Sequence, residues 1–260
     1  MIFLHRCPAP PLNVFVDTVW YCADYEAPHR HERVLPSGAF QIVIDLIGSG
    51  SASLVIGAQS RSGVIETAAL KSVAGIAFKP GGARAFLAEP ADDFFNRHVP
   101  LDLVWRSTAA ELRERLQAAA AADATDVLRV LESALQPRAR ERAGVAMHRA
   151  VRYALSQFQV PNGHGVLDVA ADAGLSRRRF AEIFRESVGV TPKLYSRLQR
   201  LRHVLRHISL SEDVDWVEIA LACGYYDQAH FAHEFHEFSG MSPTAYLSRH
   251  RPWPTHVAID

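Results

Sequence analysis

The sequence predicts two domains: an α+β domain with a β core and trailing helices, then an all-α domain whose two helix-turn-helix units are joined by a linker helix. Three observations predict this. Strand-like segments rich in β-branched and aromatic residues come first and give way to helical patterns. A polar stretch, Gln136 to Gly144, carries a proline near its start and ends on a glycine, the composition of a boundary. After it, one short unit is written twice. The expected organisation is a sensor or dimerisation domain over 1–136, a linker over 137–145, the helical domain over 146–250 and a tail over 251–260.

In the first domain, "FVDTVWYC" and "FQIVIDLIG" read as strands, and "SASLVIGA" and "LKSVAGIAFKP" follow after Gly/Ser turns. "PGGARAFLA" reads as a short helix entered through two glycines. In "STAAELRERLQAAAAA", Thr108 and Glu111 have capping-box spacing, and Leu112 and Leu116 form a stripe. Val127, Leu128, Leu131 and Leu135 give a second helix the same pattern. In the second domain, "VAMHRAVRYALSQF" places apolar residues at 147, 150, 151, 154, 155 and 158, a helical spacing.

The chain has 260 residues, 48% apolar and 22% charged, an ordinary globular composition. It contains no apolar run near the roughly 20 residues that span a bilayer, and "MIFLHRCPAPP" does not read as a signal peptide. Cys7, Cys22 and Cys223 are far apart, without a Cys-x-x-Cys pair. They read as apolar thiols packed in cores of a cytoplasmic protein. Net charge is zero, but residues 1–136 carry 12 Lys/Arg against 15 Asp/Glu, and residues 137–260 carry 16 against 13. From Thr191 to His207 there are five basic residues, two histidines and no acid. A local excess of positive charge matters more to a polyanion than the whole-chain sum.

The repeated unit explains that excess. "GLSRRRFAEIFRESVGVTPKLY" begins at Gly174 and "GYYDQAHFAHEFHEFSGMSPTAY" at Gly224. Ala170 and Gly174 stand four apart, as do Ala220 and Gly224. Beyond the turn, Phe180, Phe184, Gly189 and Pro192 are matched by Phe231, Phe235, Gly240 and Pro243. Each unit therefore reads as a short helix, a glycine turn and a second helix, with one extra turn residue in the second copy. The small residue before the turn lets the helices approach, and the glycine supplies backbone freedom. On the second helices, Phe180, Ile183, Phe184 and Ser187 share one face, opposite Arg178, Glu182 and Arg185. In the other copy Phe231, Phe235 and Phe238 face inward, and Ala229, His233 and His236 point away. Ser176 and Asp227 are the expected N-caps. The connecting stretch of 17 residues would be about 25 Å long as a helix. With the width of the units, that reaches the roughly 34 Å between successive major grooves on one side of a duplex.

Residues 146–250 resemble the DNA-binding domain of the AraC-type (AraC/XylS) transcriptional regulators, on "DVAADAGLSRRRFAEIFRESVGVTPKLY", "IALACGYYDQAHFAHEF" and "SGMSPTAY". The resemblance implies seven helices, the third and sixth reading base edges. Carried over by position, the base-reading places fall at Arg178, Ala181 and Glu182 and at Ala229, His230 and His233. The linker-helix arginine falls at Arg200. Arg177, Arg185, Arg197, Arg200, Arg202, Arg206 and His236 are the expected backbone contacts. His233 and His236 stand where the family usually has basic residues, and Glu182 stands where one is common. Glutamate can accept from cytosine N4, which points to a different target sequence. Histidine titrates near 6.5 when unperturbed, so affinity for DNA is expected to rise as pH falls from about 8 to 6. The implied partners are double-stranded DNA and RNA polymerase, with room for a small-molecule effector in residues 1–136 and for a homodimer. No cofactor, metal, catalytic residue or membrane is implied.

Residues 1–136 also resemble a less-described N-terminal domain that accompanies some AraC-type regulators, on "HERVLPSGAFQIVIDL" and "GIAFKPGGARAFL". "PHRHE" places His29, His31 and Glu32 close together, but Leu35 and Pro36 stand where a further metal-ligating acid would be needed. A solvated loop before a strand is the expectation. "FKPGGARAF" with Lys79 and Arg84 reads as a strand-to-helix turn more than as an anion site. "GSGSAS" lacks the lysine of a phosphate loop. Phe15, Trp20, Tyr21, Phe40 and Phe78 read as core. Two other classes stay open: a metal or small-molecule enzyme in residues 1–136, and an interaction module whose helix-turn-helix units no longer bind DNA.

Overall fold

A computed structural model of the chain describes residues 1–47, 53–142, 147–160, 165–210, 214–249, 251 and 253–260. The glycine- and serine-rich stretch 48–52 and the linker residues 143–145 lie outside the described residues. The first domain contributes strands β1 (Ile2–Arg6), β2 (Val16–Ala23), β3 (His31–Val34), β4 (Gln41–Asp45), β5 (Leu54–Ile56), β6 (Gly63–Glu66), β7 (Ser72–Phe78) and β8 (His98–Pro100). They are followed by α1 (Leu101–Trp105), α2 (Ser107–Ala122) and α3 (Ala124–Arg142). Then come α4 (Arg149–Phe158), α5 (Val166–Asp172), α6 (Arg177–Val188), α7 (Pro192–Leu210), α8 (Trp216–Ala222), α9 (Gln228–Ser239) and α10 (Pro243–Leu247). A last strand, β9 (His256–Ala258), ends the chain.

Six strands form an antiparallel sheet in the order β1-β2-β7-β4-β5-β8, and three form a second sheet in the order β6-β3-β9. Alternation sets the two faces of the large sheet. Val19, Tyr21, Ile42, Ile44, Ala74 and Ile76 are buried on the face covered by α3, where Arg6 also reaches Glu132 at 2.7 Å. On the other face Trp20, Val43, Leu54 and Ile56 are only half-buried. Gly75 lets the Trp20 indole lie against the backbone; a Cβ there would come within 2.2 Å of the ring. Of the aromatic residues expected in the core, Tyr21, Phe40 and Phe78 are buried, while Phe15 and Trp20 are partly exposed.

Several expectations need correction. α3 runs through Pro137 to Arg142, so most of the expected linker is helix. Proline disfavours a helix interior by about 3 kcal/mol. Here burial of Leu131, Leu135 and Ala139, with the Arg138 guanidinium 5.0 Å from the Trp105 ring, overrides it. Thr108 is not an N-cap: α2 already begins at Ser107, and the Thr108 hydroxyl donates to the Trp105 carbonyl. The turn after Lys79 is a 3-10 turn, Gly82–Ala85, and Arg84 donates to the carbonyls of Leu87 and Ala88. Cys22 and Cys223 are buried, and burial raises both thiols, Cys223 to about 11. Cys7 is exposed and packs in no core. The segment after 250 is no free tail, because β9 pairs antiparallel with β3 of the first domain.

The packing boundary differs from the chain boundary. One apolar cluster runs from Leu12 and Val16 through α2 and α3 into α4, α5 and α6 and ends at Tyr195. A second cluster gathers Leu198, Leu201, Val204 and Leu205 of α7 with α8, α9 and Tyr246, and includes Leu35 and Val257. α7 thus contributes residues to both cores. No helix among the described residues is long and apolar enough to cross a membrane.

Candidate nucleic-acid interface

Both turns follow one geometry. Gly174 and Gly224 have φ of +66° and +82°, a region glycine enters without strain. Leu175 N–H bonds the Ala170 carbonyl at 3.1 Å, and Tyr225 N–H bonds the Ala220 carbonyl at 2.9 Å. The first turn spans Ala173 to Ser176 and the second Cys223 to Asp227, which places the extra residue in the loop. Ser176 caps α6 by accepting from Arg179 N–H at 3.2 Å, and Asp227 caps α9 by accepting from His230 N–H at 2.7 Å. Gly189 and Gly240, at φ of +91° and +70°, end the two helices in the left-handed conformation. Phe180, Phe184, Phe231 and Phe235 are fully buried, as are Ala170 and Ala220. Pro192 and Pro243 open the helices that follow. From α4 to α10 the described residues contain seven helices, and α6 and α9 are the third and sixth.

The outward face of α6 presents Arg177, Arg178, Arg185 and the half-buried Ala181 and Glu182. The Arg178 side chain is 91% exposed and donates to Glu182 at 2.9 Å, with Arg179 at 3.6 Å. The Arg178 hydrogen bond, ahead of the other contributions, holds the Glu182 carboxyl below its ordinary value. Glu182 is therefore ionised, with two cations competing for it. Arg185 pairs at 2.8 Å with Asp92 of the first domain. On α9, Ala229, His230, His233 and His236 are exposed. The His230 ring stands edge-on to Tyr225 at 5.3 Å, and its Nδ1 accepts from Tyr226 N–H at 3.4 Å. Tyr226 itself is 86% exposed beside this face, an aromatic residue that sequence reasoning missed. Its signal was its place in the turn, one residue before the N-cap.

The basic linker helix divides into two roles. Arg206 and Lys193 are exposed and Arg202 is half-buried. Arg197 donates to Glu234 at 2.7 Å and to Glu237, and Arg200 donates to Glu234 at 2.9 Å. Arg197 also lies over the Phe238 ring at 4.8 Å and Arg200 over Tyr225 at 5.2 Å. The two arginines brace α7 against α9. Glu234 is buried, so it needs these partners. Burial, followed by the neighbouring charge of Arg206, lowers the titration of His203 on the same helix.

"PHRHE" is not a solvated loop. Glu32 is fully buried on β3 and His29 nearly so. Its Oε1 meets His29 Nε2 at 2.8 Å and takes the Tyr25 hydroxyl, while its Oε2 meets His256 Nδ1 at 2.8 Å. His31 is exposed and bonds Asp260 at 3.0 Å. The two histidines on Glu32 use different oxygens, which makes a hydrogen-bonded cluster closed by the returning chain. Burial pushes the Glu32 carboxyl up, but the bonds from His256, Tyr25 and His29 outweigh it and bring it down to about 2. Sequence reasoning could not find His256 as a partner, because it lies 224 residues away.

The model of a helix-turn-helix domain matches residues 169–249, and that of a domain of unknown function (DUF6597) matches residues 5–100. A probable transcriptional regulator, LumQ of Photobacterium leiognathi, is 28% identical over 81 residues, which are 31% of this chain and 32% of the relative. The chain thus matches about a third of that relative's length. A transcriptional regulator with an AraC-type DNA-binding domain from Chromobacterium violaceum is 23% identical, with a TM-score of 0.34, over 37% of this chain and 87% of its own. ToxT from Vibrio cholerae is 10% identical, with a TM-score of 0.43, over 94% and 97%. With the repeated turn, caps and buried phenylalanines already described, residues 169–249 of this chain form a helix-turn-helix domain.

Proposed function

We propose that the chain is a sequence-specific DNA-binding transcription regulator of the AraC type in which α6 and α9 read base edges. The observation that carries this reading is the pair of N-capped helices, each with a buried phenylalanine face and an exposed polar face, with one linker helix between the two units in the chain. Arg178 is the strongest reader once it leaves Glu182, since a guanidinium can bond O6 and N7 of one guanine. Ala181 and Glu182 read beside it, and Ala229, His230 and His233 read from α9. Arg177, Arg202, Arg206 and His236 contribute backbone contacts. Arg185, Arg197 and Arg200 do so only after leaving Asp92, Glu234 and Glu237.

The protein acts by binding, not by catalysis, and works in the cytoplasm where its DNA lies. The first domain takes a small-molecule effector. An open groove of about 380 Å³ lies where the two domains meet, lined by Ser60, Arg61 and Asn96 of the first and by Thr191, Lys193 and Arg197 of the second. RNA polymerase is the further partner, and α2 and α3 offer a surface for a second copy. The pairing of Arg197 and Arg200 with Glu234 favours a second reading, in which the second unit packs and does not read DNA.

Selection of bound sequences from a random duplex pool, with the full chain at physiological salt, tests both. Two enriched boxes about one helical turn apart are expected. One enriched box favours the second reading, and no enrichment with or without candidate effectors overturns the function.

A further inference from the structure

Helix α9 ends against the first domain. A helix leaves its last carbonyls without intrahelical partners. Here, those of Phe238 and Ser239 are taken by residues far upstream. Ser62 N–H donates to the Phe238 carbonyl at 2.9 Å. Arg33 Nη1 donates to the Ser239 carbonyl at 3.2 Å, and the Ser62 hydroxyl donates to the same oxygen at 3.3 Å. Gly240 makes the approach possible: a Cβ there would sit 2.0 Å from Arg33 Nη1. A guanidinium at this end also complements the negative end of the helix dipole.

Arg33 belongs to β3, where successive side chains point to opposite sides. Its neighbour Glu32 takes His256 of the returning chain, and β9 pairs with β3 from Glu32 to Val34. Four residues of the first domain therefore grip the second unit twice, at the end of its recognition helix and through the strand beyond α10. The matching point of the first unit is held differently. Gly189 packs under the Phe40 ring and beside the Ala91 carbonyl, and the Ile183 carbonyl of α6 takes the Ser187 hydroxyl of the same helix at 2.8 Å.

We propose that Arg33 and Ser62 are positioning residues for base reading by α9. They set the angle at which His230 and His233 meet a duplex, and they leave the first unit unaffected. This rests on the DNA-binding reading above. It makes the first domain a determinant of the second box of the operator, so a change around β3 or the 60–62 loop would be read out as altered specificity.

The test uses the full chain and three duplexes: both selected boxes intact, the first scrambled, the second scrambled. For wild type, scrambling either box weakens binding. For Arg33→Ala combined with Ser62→Ala, affinity for the intact duplex falls about tenfold, the size expected for losing charged hydrogen bonds. Scrambling the second box then costs little, while scrambling the first costs as much as before. Arg33→Lys, which keeps the cation, restores part of the second-box dependence. A merely structural role would weaken both boxes alike, and that result overturns the proposal, as does undiminished second-box dependence in the double variant. Ser62→Ala alone removes only a hydroxyl and serves if the double variant fails to fold. A wild-type chain that reads one box overturns the proposal while leaving DNA binding in place. One that binds no duplex overturns both.

Discussion

The two helix-turn-helix units share turn, caps and phenylalanine face, yet they are embedded differently. The first is fused to the N-terminal domain through one apolar cluster that runs from Leu12 to Tyr195. The second has its own cluster, which takes only Leu35 from the first domain's described strands and loops, and it is joined to the rest by the Arg33 and Ser62 bonds and the β9 strand, with Arg197 and Arg200 bracing α9 to α7. Apolar burial is large and non-directional, whereas polar contacts are directional and answer to salt and pH. The difference holds the first unit to the N-terminal domain by apolar packing and the second mainly by polar contacts.

The largest effects should come from the matched phenylalanines. Phe184→Ala and Phe235→Ala each remove a fully buried ring, at about 3–5 kcal/mol. Hydrogen exchange should show lost protection in the N-terminal sheet for Phe184→Ala only. Equal loss from both variants would break the distinction between the units.

Next in size is Glu32→Gln, which removes a buried charge from two histidines and a tyrosine at about 3 kcal/mol. The sign of its pH dependence follows from the lowered carboxyl. The stabilisation is complete above the ordinary 4.5 and is lost as pH falls from there through about 2. Urea melts between pH 5 and pH 2 should converge for wild type and variant. A constant gap would mean that Glu32 is not the group that titrates.

Arg178→Ala should cost about 1–3 kcal/mol at the first box and leave the second unchanged. Binding to duplexes with one box scrambled checks it, and an equal loss on every sequence would remove Arg178 from the readers. Glu234→Gln weakens the hold on Arg197 and Arg200, so the dependence of log K on log salt should steepen by roughly one unit for each arginine that reaches a phosphate. An unchanged slope would mean that both arginines stay structural.

Much of the helical domain was legible because its signals are local. Ser176 and Asp227 cap helices a few residues away, Gly174 and Gly224 sit where a turn needs positive φ, and the phenylalanines repeat at helical spacing. The errors fell where a distant partner decided. Pro137 argued for a helix end, but the face carrying Leu135 and Ala139 was buried against the rest of the domain. Thr108 and Glu111 matched a capping box, but the helix had already begun. Glu32 looked solvated because nothing near it in sequence supplies His256.

Helical periodicity and turn chemistry operate within a few residues, so the repeat, its fold and the outward faces of α6 and α9 are legible along the chain. Long-range packing sets which arginines face solvent and which brace α7, brings β9 back to β3, and carries Arg33 to the end of α9. Those outcomes depend on pairing groups that in two cases lie more than two hundred residues apart, and buried charges and unpaired helix ends make such pairing obligatory without naming the partner.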